Sequence, residues 1–236
     1  MMKISEIINP IRKHSLFIGK RKSPQHTSST ESCSTKKMIL HELLATSEHS
    51  VLNLNTNEME TIKICLTENY KNNEIFNINV FNSKNKLIGA AEVLKDCNYL
   101  NIDPNSVYIS SIATSSDYKG IGTEIIAQVA KLSKFLGKGG KVSLVSTTGT
   151  VRPQHKQFAK NNYNVSSAIK YKKMGFKAVD TTMDESINKA IDEKTSGLSK
   201  ITYSNGALKG YVDNLSCSMV LTEDAILKYV GLDTTI

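Results

Sequence analysis

The strongest constraint on the fold of this chain is a continuous stretch in its middle, from Val107 to Leu136. The run Val107 to Ala113 is rich in β-branched and apolar residues and follows the turn signal Asp103-Pro104-Asn105, so it predicts a strand. A loop with two glycines comes next, and after it apolar residues recur every three or four positions, which predicts one amphipathic helix. The apolar stripe consists of Ile121, Ile125, Val129, Leu132 and Leu136.

On either side of this stretch, segments with the apolar pattern of strands alternate with segments that have the apolar spacing of helices. This alternation is typical of a mixed α/β domain. Residues Ile75 to Phe81 and Leu87 to Val93 predict a β-hairpin around Asn82 to Lys86. The other predicted elements are helices at Met38 to Ala45, Val165 to Met174, Met183 to Asp192 and Glu223 to Tyr229, and strands at Val142 to Val145, Phe176 to Val179 and Cys217 to Leu221. Between them lies a turn-rich stretch that contains Asn205-Gly206.

The positive charge of the chain is concentrated at its start. The 236 residues carry a net charge of +8, and residues 1 to 37 alone hold eight basic and two acidic side chains. This segment is also rich in Ser and Thr, so we predict a flexible tail at 1–37 and a folded domain at 38–236. The tail is open to two interpretations: an address for export, as in a bacterial effector injected into a host cell, or a solvated linker.

Composition and spacing exclude several classes of protein. No apolar run approaches the length of a transmembrane helix, and no segment has the pattern of a secretory signal peptide. The four Cys and five His lack the spacing of metal ligands, so we predict no metal site. Reduced thiols predict a cytoplasmic protein. The predicted domain is near neutral, and the whole chain has 6% aromatic residues and no Trp, so nucleic acid is an unfavoured partner.

The loop Asp117-Tyr-Lys-Gly120-Ile-Gly122-Thr123 lies between the predicted strand and the long helix. Glycines allow the backbone to approach a ligand closely, and the first turn of a helix leaves unpaired N–H groups that favour an anion such as a phosphate. A tight strand-to-helix turn without a ligand is the alternative interpretation. The loop is not a Walker motif, and Ile125 stands where a dinucleotide fingerprint needs its third glycine.

A second motif follows about forty residues later, Asn164-Val-Ser-Ser167-Ala-Ile-Lys-Tyr171-Lys-Lys-Met-Gly175-Phe176. Helical spacing places Asn164, Ser167 and Tyr171 on one face, and Gly175 ends the helix. Together with the strand, Gly-x-Gly loop and long helix before it, this segment resembles the GNAT superfamily of N-acetyltransferases over about residues 75 to 180. The resemblance implies a mostly antiparallel central sheet flanked by helices.

The resemblance also implies acetyl-CoA as co-substrate and a set of residues that bind it. One strand would pair its backbone with the pantetheine arm, the glycine loop would cradle the pyrophosphate, and two polar residues of the later helix would contact the cofactor. These residues are Ile112, Ala113 and Thr114, then Lys119, Gly120, Ile121, Gly122 and Thr123, and finally Asn164 and Ser167. Asp117 departs from the family, which usually has Arg or Gln there, and an alternative alignment matches Tyr118-Lys119-Gly120 to the family's Tyr-Arg-Gly.

Acetyl transfer to an amine requires that the amine lose a proton and that the leaving thiolate be stabilised. The resemblance implies Tyr171 as the general acid to the thiolate, with a half-buried structural tyrosine as the alternative. Glu92, near the end of a strand, and His155, in a loop, are the candidates for the base. In this family the acceptor groove is built by N-terminal helices and late loops, here about 38–72 and 180–215.

The sequence therefore predicts an acetyl-CoA-dependent N-acetyltransferase that acts on a primary amine, either a protein lysine or N-terminus or a small amine. The competing hypothesis is a non-catalytic basic protein that attaches to nucleic acid or a membrane through residues 1 to 37.

Overall fold

The computed structural model describes residues 46–69, 72–96, 103–147, 165–202 and 208–231. The strands are β1 (Ser47–Asn53), β2 (Glu58–Asn69), β3 (Asn72–Phe81), β4 (Leu87–Leu94), β5 (Val107–Thr114), β6 (Tyr118–Lys119), β7 (Val142–Ser146), β8 (Phe176–Ala178), β9 (Leu198–Thr202), β10 (Leu208–Asp213) and β11 (Cys217–Leu221). The helices are α1 (Ile121–Phe135), α2 (Ser167–Lys173), α3 (Thr181–Asp192) and α4 (Glu223–Val230).

Nine of the strands form one sheet in the order β6-β1-β2-β3-β4-β5-β7-β11-β8. Every neighbouring pair is antiparallel except β5 and β7, which run parallel because α1 connects them. Strands β9 and β10 make a separate two-stranded ribbon. The predicted mixed α/β fold, with a mostly antiparallel sheet and flanking helices, is confirmed.

The sheet is curled, and the reason is the short link between β5 and β6. Only Ser115 to Asp117 separate these two strands, so Thr114 and Tyr118 can be at most about 14 Å apart. In a flat sheet, the five strand spacings between β5 and β6 would require about 24 Å. The sheet therefore bends until β1, which pairs with β6, comes close to the end of β5.

Helix α1 lies in the trough of the curled sheet. All the predicted stripe residues up to Leu132 are buried, and so are Ile126, Gln128, Ala130 and Ser133, because α4 packs on the helix in addition to the sheet. Gly89 of β4 lies directly beneath the helix, where a Cβ atom would come within 2.7 Å of Ile121 Cγ2. Side chains alternate along a strand, so Ala91 and Val93 face α1 while Ala90 and Glu92 face the other way.

The predicted hairpin of β3 and β4 is confirmed, and its turn is closed by an asparagine. Asn82 Oδ1 accepts hydrogen bonds from the backbone N–H groups of Lys84 and Lys86, at 3.1 and 2.9 Å. Asn85 has a φ of 57°, a left-handed conformation that asparagine tolerates better than most residues.

The expectation of helices in the region 38–72 is wrong for its described part. Residues 47 to 69 form the antiparallel pair β1 and β2. In β2 the buried Ile62, Ile64 and Leu66 alternate with more exposed neighbours, which is the period of a strand covered on one face. The predicted helix Met38 to Ala45 and the tail 1–37 lie outside the described residues.

The later elements agree with the sequence except at the ribbon. The helix and strand predictions at 142–145, 165–174, 176–179, 183–192, 217–221 and 223–229 match β7, α2, β8, α3, β11 and α4. The stretch that was predicted to be rich in turns forms β9 and β10. Asn205-Gly206, between these strands, lies outside the described residues. Ile201, Tyr211 and Val212 of this ribbon are exposed. No described helix has the length and apolar character needed to cross a membrane.

The turn after α2 offers a test of the packing. Gly175 has a φ of 94°, and a Cβ atom there would lie 2.4 Å from Ala225 Cβ of α4. Gly139 has a φ of 63° but open space around it. We expect Gly139→Ala to lower the free energy of unfolding by about 1–2 kcal/mol through backbone strain, and Gly175→Ala by about 1–3 kcal/mol more through overpacking. Urea unfolding of both variants measures the difference; equal losses would contradict the tight contact between the turn and α4.

Candidate active site

A gap opens between the two parallel strands β5 and β7. Their pairing covers only Val107 to Ile109 opposite Val142 to Leu144. Strand β5 then continues to Thr114 and β7 to Ser146 without further pairing between them. The predicted residues Ile112, Ala113 and Thr114 lie in this part of β5. Their backbone pairs with β4 on one side and faces the gap on the other.

A β-bulge at Ser110 helps to open the gap. Ile109 pairs with Val93 and Ser111 pairs with Glu92, so Ser110 is an extra residue on β5. Such a residue bends its strand and increases the local twist. The Ser110 hydroxyl donates to the Glu92 carboxylate at 2.7 Å and contacts the Glu92 carbonyl oxygen at 3.1 Å. The predicted base is therefore fixed at the bulge, on the face of β4 away from α1.

The other side of the gap is held open by β11. Ser146, the last residue of β7, accepts a hydrogen bond from Cys217 N at 3.1 Å, and its hydroxyl donates to Cys217 O at 3.2 Å. The Ser216 hydroxyl donates to Ser146 O. These bonds hold the end of β7 against β11 while the bulge turns β5 away.

Helix α1 begins at the end of this gap, directly after Gly120. Gly120 has a φ of 110°, in the region that favours glycine, and as N-cap residue it has no side chain to bond the first turn. The first intrahelical bond joins Glu124 N to Gly120 O at 3.1 Å. The N–H groups of Ile121, Gly122 and Thr123 precede that bond, so they have no partner within the helix and are suited to an anion.

The strand before the loop is anchored by Glu60. Its carboxylate accepts hydrogen bonds from the Tyr118 hydroxyl at 3.1 Å, from Asn53 Nδ2 at 2.9 Å and from the Ser83 hydroxyl at 2.6 Å. The bonds from Ser83 and Asn53 lower the pKa of Glu60, and burial raises the pKa of Tyr118. Lys119 pairs with Leu52 in the sheet, so the segment that can approach a ligand begins at Gly120.

The second glycine of the loop has a packing role. A Cβ atom on Gly122 would lie 3.0 Å from Met174 Cε, at the end of α2. The loop and the end of α2 are thus in contact. The side chain of Ile121 is buried in the core, so only its backbone could contribute to binding.

Helix α2 presents Tyr171. The helix begins after Ser166, whose hydroxyl accepts from Ala168 N at 3.2 Å, and Ser167 is its first residue. The Tyr171 ring contacts Phe176 edge to face, with centroids 5.8 Å apart. Burial raises the pKa of Tyr171 above its usual value, and the nearby phenol of Tyr108 on β5 adds to the effect. Tyr171 thus lies close enough to Tyr108, on the strand that carries the bulge, for the two phenols to interact.

The structure thus gathers most of the predicted site residues around the gap between β5 and β7, on strands β4 and β5, in the glycine loop and on α2. Asn164 and His155 lie outside the described residues. Ser110 and Tyr108 were missed from the sequence, because a bulge leaves no signal in the period of a strand and a tyrosine in a strand usually indicates packing. In the described parts of the chain, no group of His, Cys, Asp and Glu is suited to a metal ion.

Comparisons with known proteins identify acetyltransferases among solved structures. Nourseothricin acetyltransferase is 12% identical, with 83% of this chain and 95% of that chain covered and a TM-score of 0.35. A chimera of the spermidine N-acetyltransferase SpeG from Vibrio cholerae and hSSAT is 16% identical, with 69% and 73% covered and a TM-score of 0.35. A mutant of SpeG from Vibrio cholerae is 14% identical, with 68% and 69% covered and a TM-score of 0.30.

No protein-family model matches the chain, and no curated protein is significantly similar to it. With TM-scores below 0.5, these similarities do not support a function.

The contacts of Asp184, which connect α3 to α2, can be tested through the pH dependence of stability. Asp184 of α3 accepts from Lys172 Nζ at 2.7 Å and from Ala178 N at 2.8 Å. Burial is the largest single effect and would raise the pKa of Asp184, but these two hydrogen bonds, together with the charges of Lys172 and Lys177, lower it below its usual value. A lowered folded-state pKa stabilises the fold above the unfolded value of about 3.9, and this contribution is lost as the pH falls through the folded value.

We expect Asp184→Asn to lower the free energy of unfolding by about 1 kcal/mol at pH 7, and by less below about pH 4. Urea unfolding at several pH values measures this. The control is Glu193→Gln, which removes an exposed pair with Lys189 and should change stability by a few tenths of a kcal/mol at most. An equal loss for Asp184→Asn at pH 3 and pH 7 would show that the charge of Asp184 does not support α2.

Proposed function

We propose that this chain transfers an acetyl group from acetyl-CoA to a primary amine. The observation that supports this best is the gap between β5 and β7, which ends beside the uncapped first turn of α1. An extended ligand with a phosphate at one end fits this combination: a strand edge can pair with amide groups, and free helical N–H groups can bind the phosphate.

The residues present suit acetyl-CoA, which when bound supplies an activated acetyl thioester. The backbone of Ile112 to Thr114 offers hydrogen bonds to the amides of the pantetheine arm, and the N–H groups of Ile121 to Thr123 offer hydrogen bonds to the pyrophosphate. Lys119 is exposed next to them and would reduce the unfavourable effect of Asp117. Asn164 and Ser167 remain predicted contacts of the same ligand.

Glu92 would act as the base. Its carboxylate lies at the bulge that widens the gap, and the hydrogen bond from Ser110 fixes its orientation. A carboxylate there can take the proton that the acceptor ammonium must lose before its nitrogen attacks the acetyl carbonyl. It would also attract a cationic acceptor, which suits both a lysine side chain and a small amine.

Tyr171 would assist the departure of the thiolate. Because burial raises its pKa, the phenol keeps its proton throughout the neutral range and can donate to the sulfur as the carbon–sulfur bond breaks. Thiols have a pKa of about 8.5, below that of this phenol, so full proton transfer is unfavourable. Tyr171 would therefore stabilise the thiolate mainly by a hydrogen bond, with the final proton coming from solvent.

The cellular address of the chain stays a prediction. Residues 1 to 37, which could direct export into a host cell, lie outside the described residues. A cytoplasmic location likewise stays a prediction.

Binding can be tested with a charge placed at the start of α1. Thr123→Glu adds a carboxylate to the first turn, which favours the helix but repels a pyrophosphate, so we expect acetyl-CoA to bind at least tenfold more weakly with no loss of stability. Lys131→Gln, an exposed position on the same helix, makes the same change in net charge and should leave binding unchanged. Calorimetric titration measures both; equal affinities for the two variants would place the phosphates elsewhere.

Turnover can be tested by the release of free thiol with a panel of amines that includes spermidine and a lysine peptide. We expect Glu92→Gln and Tyr171→Phe each to lower kcat by about 10- to 100-fold while the affinity for acetyl-CoA stays within about twofold. Glu68→Gln, on an exposed position of β2, is the control and should retain full activity. Full activity of Tyr171→Phe would remove Tyr171 from the mechanism, and the same result for Glu92→Gln would remove Glu92.

A further inference from the structure

A cluster of polar side chains joins β1 to the first two turns of α1. His49 Nδ1 lies 2.7 Å from Glu124 Oε2. On the other side of the ring, His49 Nε2 lies 3.0 Å from the Ser47 hydroxyl and 3.1 Å from Gln128 Nε2. Gln128 is buried, and the side chains of His49 and Glu124 are 20% and 29% exposed. The cluster thus lies at the edge of an otherwise apolar trough.

The position of Glu124 creates a conflict with the proposed function. A carboxylate in the first turn of a helix is stabilised by the N-terminal end of the helix dipole. In α1 the same end would bind the pyrophosphate of acetyl-CoA, and two anions at one helix end repel each other. Glu124 therefore stabilises the free helix and opposes the ligand, unless its charge is held aside or neutralised.

His49 is placed to do both. Among the described residues, it is the basic side chain that pairs with Glu124, and it draws the carboxylate toward β1. The pair has a charge of −1 when the imidazole is neutral and zero when the imidazole is protonated. The Gln128 amide can turn its nitrogen to an unprotonated Nε2 or its oxygen to a protonated one, so both states keep their hydrogen bonds.

We propose that His49 is a positioning residue that couples proton uptake to phosphate binding at α1, by holding and neutralising Glu124. This inference rests on the proposed function, since it requires that acetyl-CoA phosphates bind at that helix end. Because a protonated imidazole would neutralise the charge of Glu124 at that helix end, the affinity for acetyl-CoA rises as the pH falls.

The groups around His49 do not supply this coupling in its place. Ser47 of β1 and Gln128 of α1 carry no charge, and Ile62, the partner of His49 on β2, is buried and apolar. Tyr229 of α4 lies close enough to Glu124 to be affected by its charge. Burial raises the pKa of Tyr229, and the negative charge of Glu124 raises it further. That phenol stays neutral between pH 6 and 8.

The test compares binding of acetylated dephospho-CoA at pH 6 and pH 8 by calorimetry. This ligand keeps the pyrophosphate but lacks the 3′-phosphate, which itself titrates near neutral pH. For the wild type we expect affinity to be about three- to tenfold higher at pH 6 than at pH 8. His49→Gln keeps a hydrogen-bonding side chain without the charge and should bind equally at both pH values, with the affinity of the wild type at pH 8.

Glu124→Gln provides the second variant and does not depend on the folding of His49→Gln. It should bind at both pH values at least as tightly as the wild type at pH 6, and combining it with His49→Gln should cause no further loss. Glu48→Gln, an exposed position on the other face of β1, has the same change in charge and should keep the pH dependence of the wild type.

Two results would overturn the proposal, and they differ in what they say about the proposed function. Tight binding by the wild type with the same pH dependence in the wild type and in His49→Gln would overturn the role of His49 alone. An absence of binding by the wild type at both pH values would overturn the proposed function and, with it, this inference.

Discussion

The short link between β5 and β6 is the constraint on which the rest of the structure depends. Three residues connect two strands that lie at opposite ends of a six-strand row, so the sheet must curl, and the curl makes the trough that buries α1. Gly120 follows from the same constraint. The chain leaves β6 at the rim of the trough and must turn at once into the helix, which requires the left-handed φ of 110°.

The candidate site results from two local departures from a regular sheet. The extra residue Ser110 turns β5 away from β7, and the hydrogen bonds of Ser146 hold β7 against β11. A regular parallel pair would use these backbone groups for its own ladder. Because the pairing stops after Ile109, the backbone of β5 can serve a ligand at the point where α1 begins.

How much of this could be predicted differs from element to element. The helix α1 and the β3–β4 hairpin were predicted from local patterns, because the apolar spacing of α1 and the turn residues Asn82 to Lys86 determine local conformation directly. The pair β1 and β2 was not predicted, although Ile62, Ile64 and Leu66 alternate, because the family resemblance implies N-terminal helices in this region. The bulge and the pairing of β6 with β1 depend on residues far apart in the chain, which no single stretch of sequence encodes.

The hairpin of β1 and β2 also changes how the site must be understood. Where helices were expected to form part of an acceptor groove, the described chain places an additional pair of strands at the edge of the sheet. The curl brings this edge to the first turn of α1, which is why a histidine on β1 can contact a glutamate in that turn. A part of the chain expected to select the acceptor thus contacts the opposite end of the candidate site, where His49 pairs with Glu124 in the first turn of α1.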